Sequence, residues 1–289
     1  MSKSILIAGA SGALGFKLLK DFKSQGFRIR ALTHSEEGLE KLKEEVEDIH
    51  YLDASEDKSK LEGITRDMDY VVSALGKSIS LFQPDSDTFY ESNYKANSHL
   101  LQDAKKYNVK KFIYVSMMGA DTASDYKIPG THRKTEKEIQ NSGLSYSIIR
   151  PVGFYSGLHD LIIMAKKKVI PLVGDGKAKT NSIFHGDLAN FISDNFTGLP
   201  EILEIGGPKI HTREEMAVMI QEKIGGKVIK VPESIAKSGS QVPKLFAKEN
   251  LGHKLDYFSY IMSNDMIGQA RGSLTFKDYL NQIDLENID

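Results

Sequence analysis

The chain has 289 residues, 40% of them apolar, with 38 Lys and Arg against 39 Asp and Glu for a formal charge of -1. That length suits one large α/β unit or a nucleotide domain with a smaller appendage, and the even charge argues against nucleic acid as the main partner. The sequence has no cysteine, which excludes disulfides, thiol nucleophiles and thiolate metal sites, and the expectation is a cytoplasmic protein with neither a signal peptide nor a membrane span.

Short β-branched runs alternate with helical patterns over the first two-thirds. They read "SILIAG", a helix over 13–25, "FRIRAL", a helix over 36–47, "IHYLD", a turn, "YVVSAL", a helix over 87–107, "KFIYVS", a helix over 131–142 and "SYSIIRP". Such alternation predicts a doubly wound parallel α/β sheet of Rossmann type, because strands buried on both faces read as continuous apolar runs. From about residue 152 the alternation loosens: "GLHDLIIMAKKK" is followed by "EILEIGG", a helix over 212–224 and "KVIKV". The predicted division is a dinucleotide-binding domain over 1–155 and a smaller C-terminal α/β lobe over 156–289, interleaved with the first.

Residues 7–15, "IAGASGALG", follow the first strand and open an amphipathic helix carrying Leu14, Leu18, Leu19 and Phe22. In that context the loop Gly9, Ala10, Ser11, Gly12, Ala13, Leu14 and Gly15 reads as a pyrophosphate cradle. Backbone N–H groups at the helix start meet the anion, and Gly9 and Gly12 allow its approach. Gly15 would let the helix pack close to the sheet. The second strand ends in Thr33, His34 and Ser35, with Arg30 just before, where an acidic residue would favour NAD. Neutral and basic donors suit a 2′-phosphate, so NADP is expected over NAD. An inward turn of Glu36 or Glu37 would reverse that preference, and Ser35 is also a competent helix cap.

The stretches "GASGALG", "RALTHS", "LDASED", "YVVSALG", "NYKANSHLLQDAKKYNVKKFIYVSMMGAD", "HRKTEKEIQNSGLSYSIIRPVGFYSGL", "IFHGDLA" and "EIGGP" occur in this order over roughly residues 4–225. As a set they resemble the atypical, extended short-chain dehydrogenase/reductase superfamily, and within it the NmrA-like, NAD(P)H-binding branch. The resemblance implies that Asp53 lies against the adenine and that Ala74, Leu75 and Gly76 line the adenosine side. It further implies roles for Asn93 and Ser116 in the cleft, for Lys134 at the nicotinamide ribose, and for Pro151, Val152, Gly153 and Phe154 along the nicotinamide edge. Several have plainer readings as turn or helix caps.

One element of the pattern is missing. Active members carry Tyr-x-x-x-Lys, the lysine lowering the tyrosine pKa for proton exchange, but four residues before Lys134 stands Gly130. Tyr126, Tyr155 and His132 are the remaining candidates for the acid. His185 and Asp187 in "FHGDLA" read as a strand-to-helix junction with Asp187 as an N-cap or near-cap, and Lys166, Lys167 and Lys168 as a solvated helix end. Eight histidines show no helical i, i+4 pair for a metal. Two functions follow from these signs: an NADPH-dependent oxidoreductase for a small organic substrate, or a non-catalytic NADP(H)-binding regulatory or assembly protein acting on a protein partner.

Overall fold

The computed structural model describes residues 2–83, 88–245, 249–286 and 288. Its centre is β1 (Ser4–Ala8), buried along its whole length, which demands strands on both edges and helices on both faces. One neighbour is β2 (Arg28–Thr33), with Ser4 opposite Arg28, and the other is β4 (Tyr70–Ser73), with Ile5 opposite Tyr70. Beyond β2 the sheet ends in β3 (Asp48–Tyr51). Beyond β4 it runs through β5 (Lys111–Val115), β6 (Tyr146–Pro151), β9 (Ile202–Gly206) and β12 (Gln269–Ala270). The order β12-β9-β6-β5-β4-β1-β2-β3, parallel at every pair, is the doubly wound arrangement, with its switch point between β1 and β4.

Helix phase decides what covers each face. In α1 (Ala13–Ser24), Leu14, Leu18, Leu19 and Phe22 form one apolar stripe, which shares a core with Leu188 and Ile192 of α6 (His185–Asn195). The other face is covered by α3 (Ala96–Lys106), through Leu100, Leu101 and Ala104, and by Ile139 of α4 (Lys127–Gln140). The helix expected over 87–107 is a π-helical turn, Tyr90–Lys95, running into α3; residue 87 lies outside the described residues. Helix α4 starts four residues earlier than expected, with Pro129 in its first turn. A proline is tolerated there because first-turn N–H groups have no intrahelical partner.

After residue 155 the chain builds a second core and then returns to the sheet. That core holds α5 (His159–Lys166), β7 (Val169–Val173) paired with β11 (Lys227–Val231), α7 (Arg213–Ile224) and α10 (Phe276–Gln282). A short antiparallel ribbon joins β8 (Lys179–Thr180) to β10 (His211–Thr212), and α8 (Glu233–Leu245) packs on α9 (Glu249–Ser263). Strands β9 and β12 lie in the first sheet. Among the described residues no helix is long and apolar enough to cross a membrane.

Candidate functional site

The loop after β1 is shaped by its own backbone. Gly9 has φ +77°, a left-handed value that costs other residues strain, and a Cβ there would lie 2.9 Å from the Ala74 carbonyl oxygen at the end of β4. A Cβ on Gly15 would meet the Gly9 carbonyl oxygen at 2.1 Å, so Gly15 packs the helix against the loop itself rather than against the sheet. Gly12 is the N-cap of α1, with no side-chain cap and no acidic residue in the first turn. The N–H groups of Ala13, Leu14 and Gly15 are thus left to an anion, and the positive end of the helix dipole favours one.

At the end of β2, Thr33 Oγ1 and Ser11 Oγ share a hydrogen bond of 2.8 Å, tying the second strand to the loop. Ser35 caps α2 (Glu36–Lys43) by accepting from Gly38 N. His34, Glu36 and Glu37 are exposed. Arg30 turns the other way: its Nε donates to Asp48 at 2.9 Å and its Nη1 to the Ile64 carbonyl at 2.8 Å. The cause is register, since Arg30 and Asp48 are paired positions on β2 and β3. A basic residue not singled out in the sequence takes its place, for Lys41 Nζ donates to the Ser11 carbonyl at 3.2 Å and lies 3.9 Å from the Phe16 ring centre. Its position three residues after Gly38, on the helix face turned to the loop, is the signal that points to it. Asp53 accepts from Ser55 N at 2.7 Å, a turn of Asx type.

The far rim is built from the ends of β4, β5 and β6. Asn93, fully buried on the π-helical turn, accepts from Lys77 N at 2.8 Å and donates to Thr131 at 3.3 Å. It thereby fixes the Ala74–Leu75–Gly76 turn against α4. Ser116 Oγ donates to Glu136 at 2.7 Å, and Glu136 also holds the buried Arg150 through both carboxylate oxygens. Pro151, Val152, Gly153 and Phe154 leave β6 along residue 183, with Ile183 N donating to the Gly153 carbonyl at 2.8 Å.

The candidates for the acid are separated by the structure. Lys134 is exposed and lies over the rings of Tyr90 and Tyr94, at 4.8 and 4.0 Å, with Nζ 3.4 Å from the Tyr90 hydroxyl. His132 instead faces inward, because helix phase puts it one turn from the buried Glu136. A Cβ on Gly76 would stand 4.0 Å from His132 Cε1. Its Nδ1 lies 2.7 Å from the Tyr114 hydroxyl, and burial pushes its pKa down to about 4. Tyr155 is spent as a packing residue: its hydroxyl donates to the Leu274 carbonyl at 3.0 Å, and burial raises its pKa. Tyr126 packs on Tyr260 and lines a surface cleft with Lys237, His253 and Asp256. A Cβ on Gly130 would fall 2.5 Å from the Ser124 carbonyl oxygen, so this fold has no room for a tyrosine there.

Asp187 is a near-cap of α6, whose N-cap is Phe184. It sits in the first turn after Phe184 and accepts from Ser273 N and Leu274 N at 2.9 and 3.0 Å, pinning the C-terminal segment. Lys166 donates to the Ile288 carbonyl, and Lys167 lies over Phe82. Among the described residues no group of three His, Asp or Glu side chains is placed to hold a metal.

A family model described as NAD(P)H-binding matches residues 9–197, from the first glycine of the loop to the end of α6. The chain belongs to this family. Within it the chain takes the form of the NmrA-like, atypical short-chain dehydrogenase/reductase branch. It is 26% identical over 155 residues to the photosystem II assembly factor Ycf39 of Cyanophora paradoxa, covering 54% of this chain and 47% of that one. It is also 26% identical over 272 residues to the chloroplastic divinyl chlorophyllide a 8-vinyl-reductase of Arabidopsis thaliana, covering 81% of this chain and 64% of that one. The chain thus spans about half and about two-thirds of these relatives' lengths. The NADPH-dependent quinone oxidoreductase QOR2 of Escherichia coli, solved with NADPH, has the same fold, with TM-score 0.69 at 16% identity over 96% of this chain and 98% of that one.

The loop, the β2 end and the β4 turn of this NAD(P)H-binding chain surround the crevice outside the switch point, where doubly wound sheets take their ligands. The donors there are unspent backbone N–H groups, hydroxyls and one lysine, a set suited to phosphate.

Proposed function

We propose that this chain is an NADPH-dependent oxidoreductase acting on a small organic substrate. The observation that carries the reading is the uncapped start of α1 beside Ser11, Thr33 and Lys41. A pyrophosphate satisfies the free N–H groups there, and a 2′-phosphate suits the hydroxyls and the lysine better than a bare ribose does. Bound nicotinamide supplies hydride chemistry. The chain's own residues orient the dinucleotide through the glycine loop.

His132 is the hydrogen-bond donor of this reading: its neutral Nε2–H polarises the substrate oxygen, and the proton that completes the reduction comes from the substrate or through water. Burial keeps the Tyr114 phenol protonated, its pKa held above the usual range. Donation from that phenol to Nδ1 leaves the neutral ring's proton on Nε2, which has no hydrogen-bond partner among the described residues. The reductase name of one relative and the NADPH-bound quinone oxidoreductase of like fold are in keeping with the oxidoreductase reading.

A second reading, a nucleotide-responsive assembly or regulatory protein in the cytoplasm, draws on one specific observation. The position four before Lys134 is closed to any side chain by Ser124, and one relative is named an assembly factor. The deciding experiment is calorimetric titration with NADPH, NADP, NADH and NAD, followed by NADPH oxidation with a panel of carbonyl and activated alkene substrates. Selective NADPH binding with turnover is the expected result. Tight binding with no turnover on the whole panel leaves the second reading, and no binding by the folded protein ends both.

A further inference from the structure

Six buried side-chain polar atoms have no hydrogen-bond partner among the described residues, and four of them belong to neighbouring segments: Thr180 Oγ1, His211 Nε2, Arg213 Nε and Ser263 Oγ. Backbone pairing brings these segments together. Thr180 is the partner of His211 in the β8–β10 ribbon, so their side chains share a face, and Arg213 follows two residues later. Met266, three residues after Ser263, bridges Thr180, and Met266 N donates to the Lys179 carbonyl at 2.8 Å.

Arg213 is the unusual member. It is 6% exposed, yet no hydrogen bond, ion pair or ring contact among the described residues engages its guanidinium. Burial pushes its pKa down to about 10, with Tyr257 and Asp265 only partly opposing the shift. Every other arginine of low exposure here is paired, as Arg150 is with Glu136 and Arg30 with Asp48. A buried guanidinium without an acceptor is costly to the free protein and is recovered when an anion arrives.

The location joins this group to the cleft. Tyr257, within electrostatic reach of Arg213, donates to the Met118 carbonyl at 3.4 Å just past β5. Met118 N donates to the Pro151 carbonyl at the end of β6, and the Met266 methyl lies 3.7 Å from a Cβ built on Gly119. We propose that Arg213 is an anchor for a carboxylate on the substrate. A planar, singly charged carboxylate matches one guanidinium in two-point fashion, whereas a dianionic phosphate brings a larger charge against Asp265. The inference deepens the reductase reading by making the substrate an organic acid, and it rests on that reading only for the acid's role in turnover.

The test is the melting temperature of the full chain without nucleotide, in sodium pyruvate, sodium benzoate and sodium phosphate against sodium chloride at equal ionic strength. A saturable rise with a carboxylate is expected for the wild type. Arg213→Met should melt higher than wild type in chloride and show no carboxylate response. Arg213→Lys should keep a response at least tenfold weaker in apparent affinity. A wild type indifferent to both carboxylates overturns the proposal, as does an equal response in Arg213→Lys or a response to phosphate alone. Destabilisation of both variants in chloride also overturns it, since that marks Arg213 as structural. Calorimetry with NADPH on the same samples reads the dinucleotide site separately, so its failure beside an intact carboxylate response sinks the reductase and leaves the anchor.

Discussion

Gly15 sits so close to the Gly9 carbonyl oxygen that a Cβ would be 2.1 Å from it, whereas a Cβ on Gly12 would have its nearest neighbour at 3.4 Å. The three glycines of one loop therefore do different work. Gly9 and Gly15 make the turn possible; Gly12 leaves space above the start of α1.

Substitution by alanine should separate those roles. Gly15→Ala overpacks the loop and is expected to cost about 1–3 kcal/mol. Gly9→Ala adds left-handed backbone strain of about 1–2 kcal/mol to its contact with Ala74. Gly12→Ala should cost only about 1 kcal/mol, as a poorer N-cap, while weakening dinucleotide binding most per unit of stability lost. Urea unfolding and calorimetry on the three variants check this; a Gly12→Ala protein that binds NADPH like wild type would move the pyrophosphate elsewhere.

Lys41 tests the choice between cofactors. A single charge-assisted contact to a 2′-phosphate is worth roughly 1.5 kcal/mol or more, so Lys41→Met should weaken NADPH binding about tenfold and leave NADH binding unchanged. The difference should shrink as salt is raised, because Lys41 is exposed. Equal losses for both cofactors would assign Lys41 to a part they share.

Glu136 and Arg150 tie α4 to β6 with neither group open to water, at 0% and 3% side-chain exposure. Both Glu136 oxygens are used, one by Arg150 Nε and Ser116, the other by Arg150 Nη2 and Arg133. Glu136→Gln strands a buried guanidinium and should cost about 3–5 kcal/mol, a fall in Tm of roughly 6–20 °C for a chain of this class. The double variant Glu136→Leu, Arg150→Met should lose less than Glu136→Gln alone. Thermal unfolding of both decides it, and a single variant within about 1 kcal/mol of wild type would show that Asp121 and Glu204 suffice for Arg150.

The sheet was readable because its central strands are short apolar runs whose burial leaves no alternative, as in Ser4–Ala8 and Lys111–Val115. The glycine loop was readable for the same local reason. What escaped a linear reading depends on distant partners. Lys134 and His132 are two residues apart, and which one faces inward follows from the Glu136–Arg150 pair, fourteen positions long. Arg30 is withdrawn from the cofactor rim by Asp48 on the next strand, and Tyr155 by a carbonyl 119 residues later. Helix α4 reaches back to Lys127, ahead of the expected start at residue 131, because Pro129 in a first turn breaks nothing.

His132 carries the last prediction through its charge. Burial lowers its pKa from 6.5 to about 4, against the pull of Glu136. Between those values the unfolded chain binds a proton that the folded protein does not, so stability rises with pH. The contribution is full above about pH 6.5, is lost progressively as pH falls, and is gone near pH 4, a total on the order of 3 kcal/mol. His132→Gln keeps a polar side chain of similar reach but cannot titrate. Urea unfolding at about pH 7.5 and about pH 5 should show the wild type losing roughly 2 kcal/mol more than the variant between them. Burial also lowers His159, His185 and His211, but these act equally in both proteins and cancel in the difference. Equal losses would mean that the folded imidazole takes up its proton near the ordinary value. A ring charged under mildly acidic conditions has protons on both nitrogens, so Tyr114 would be an acceptor rather than a donor at Nδ1, and the neutral Nε2–H donor assigned to the cleft would have to be abandoned.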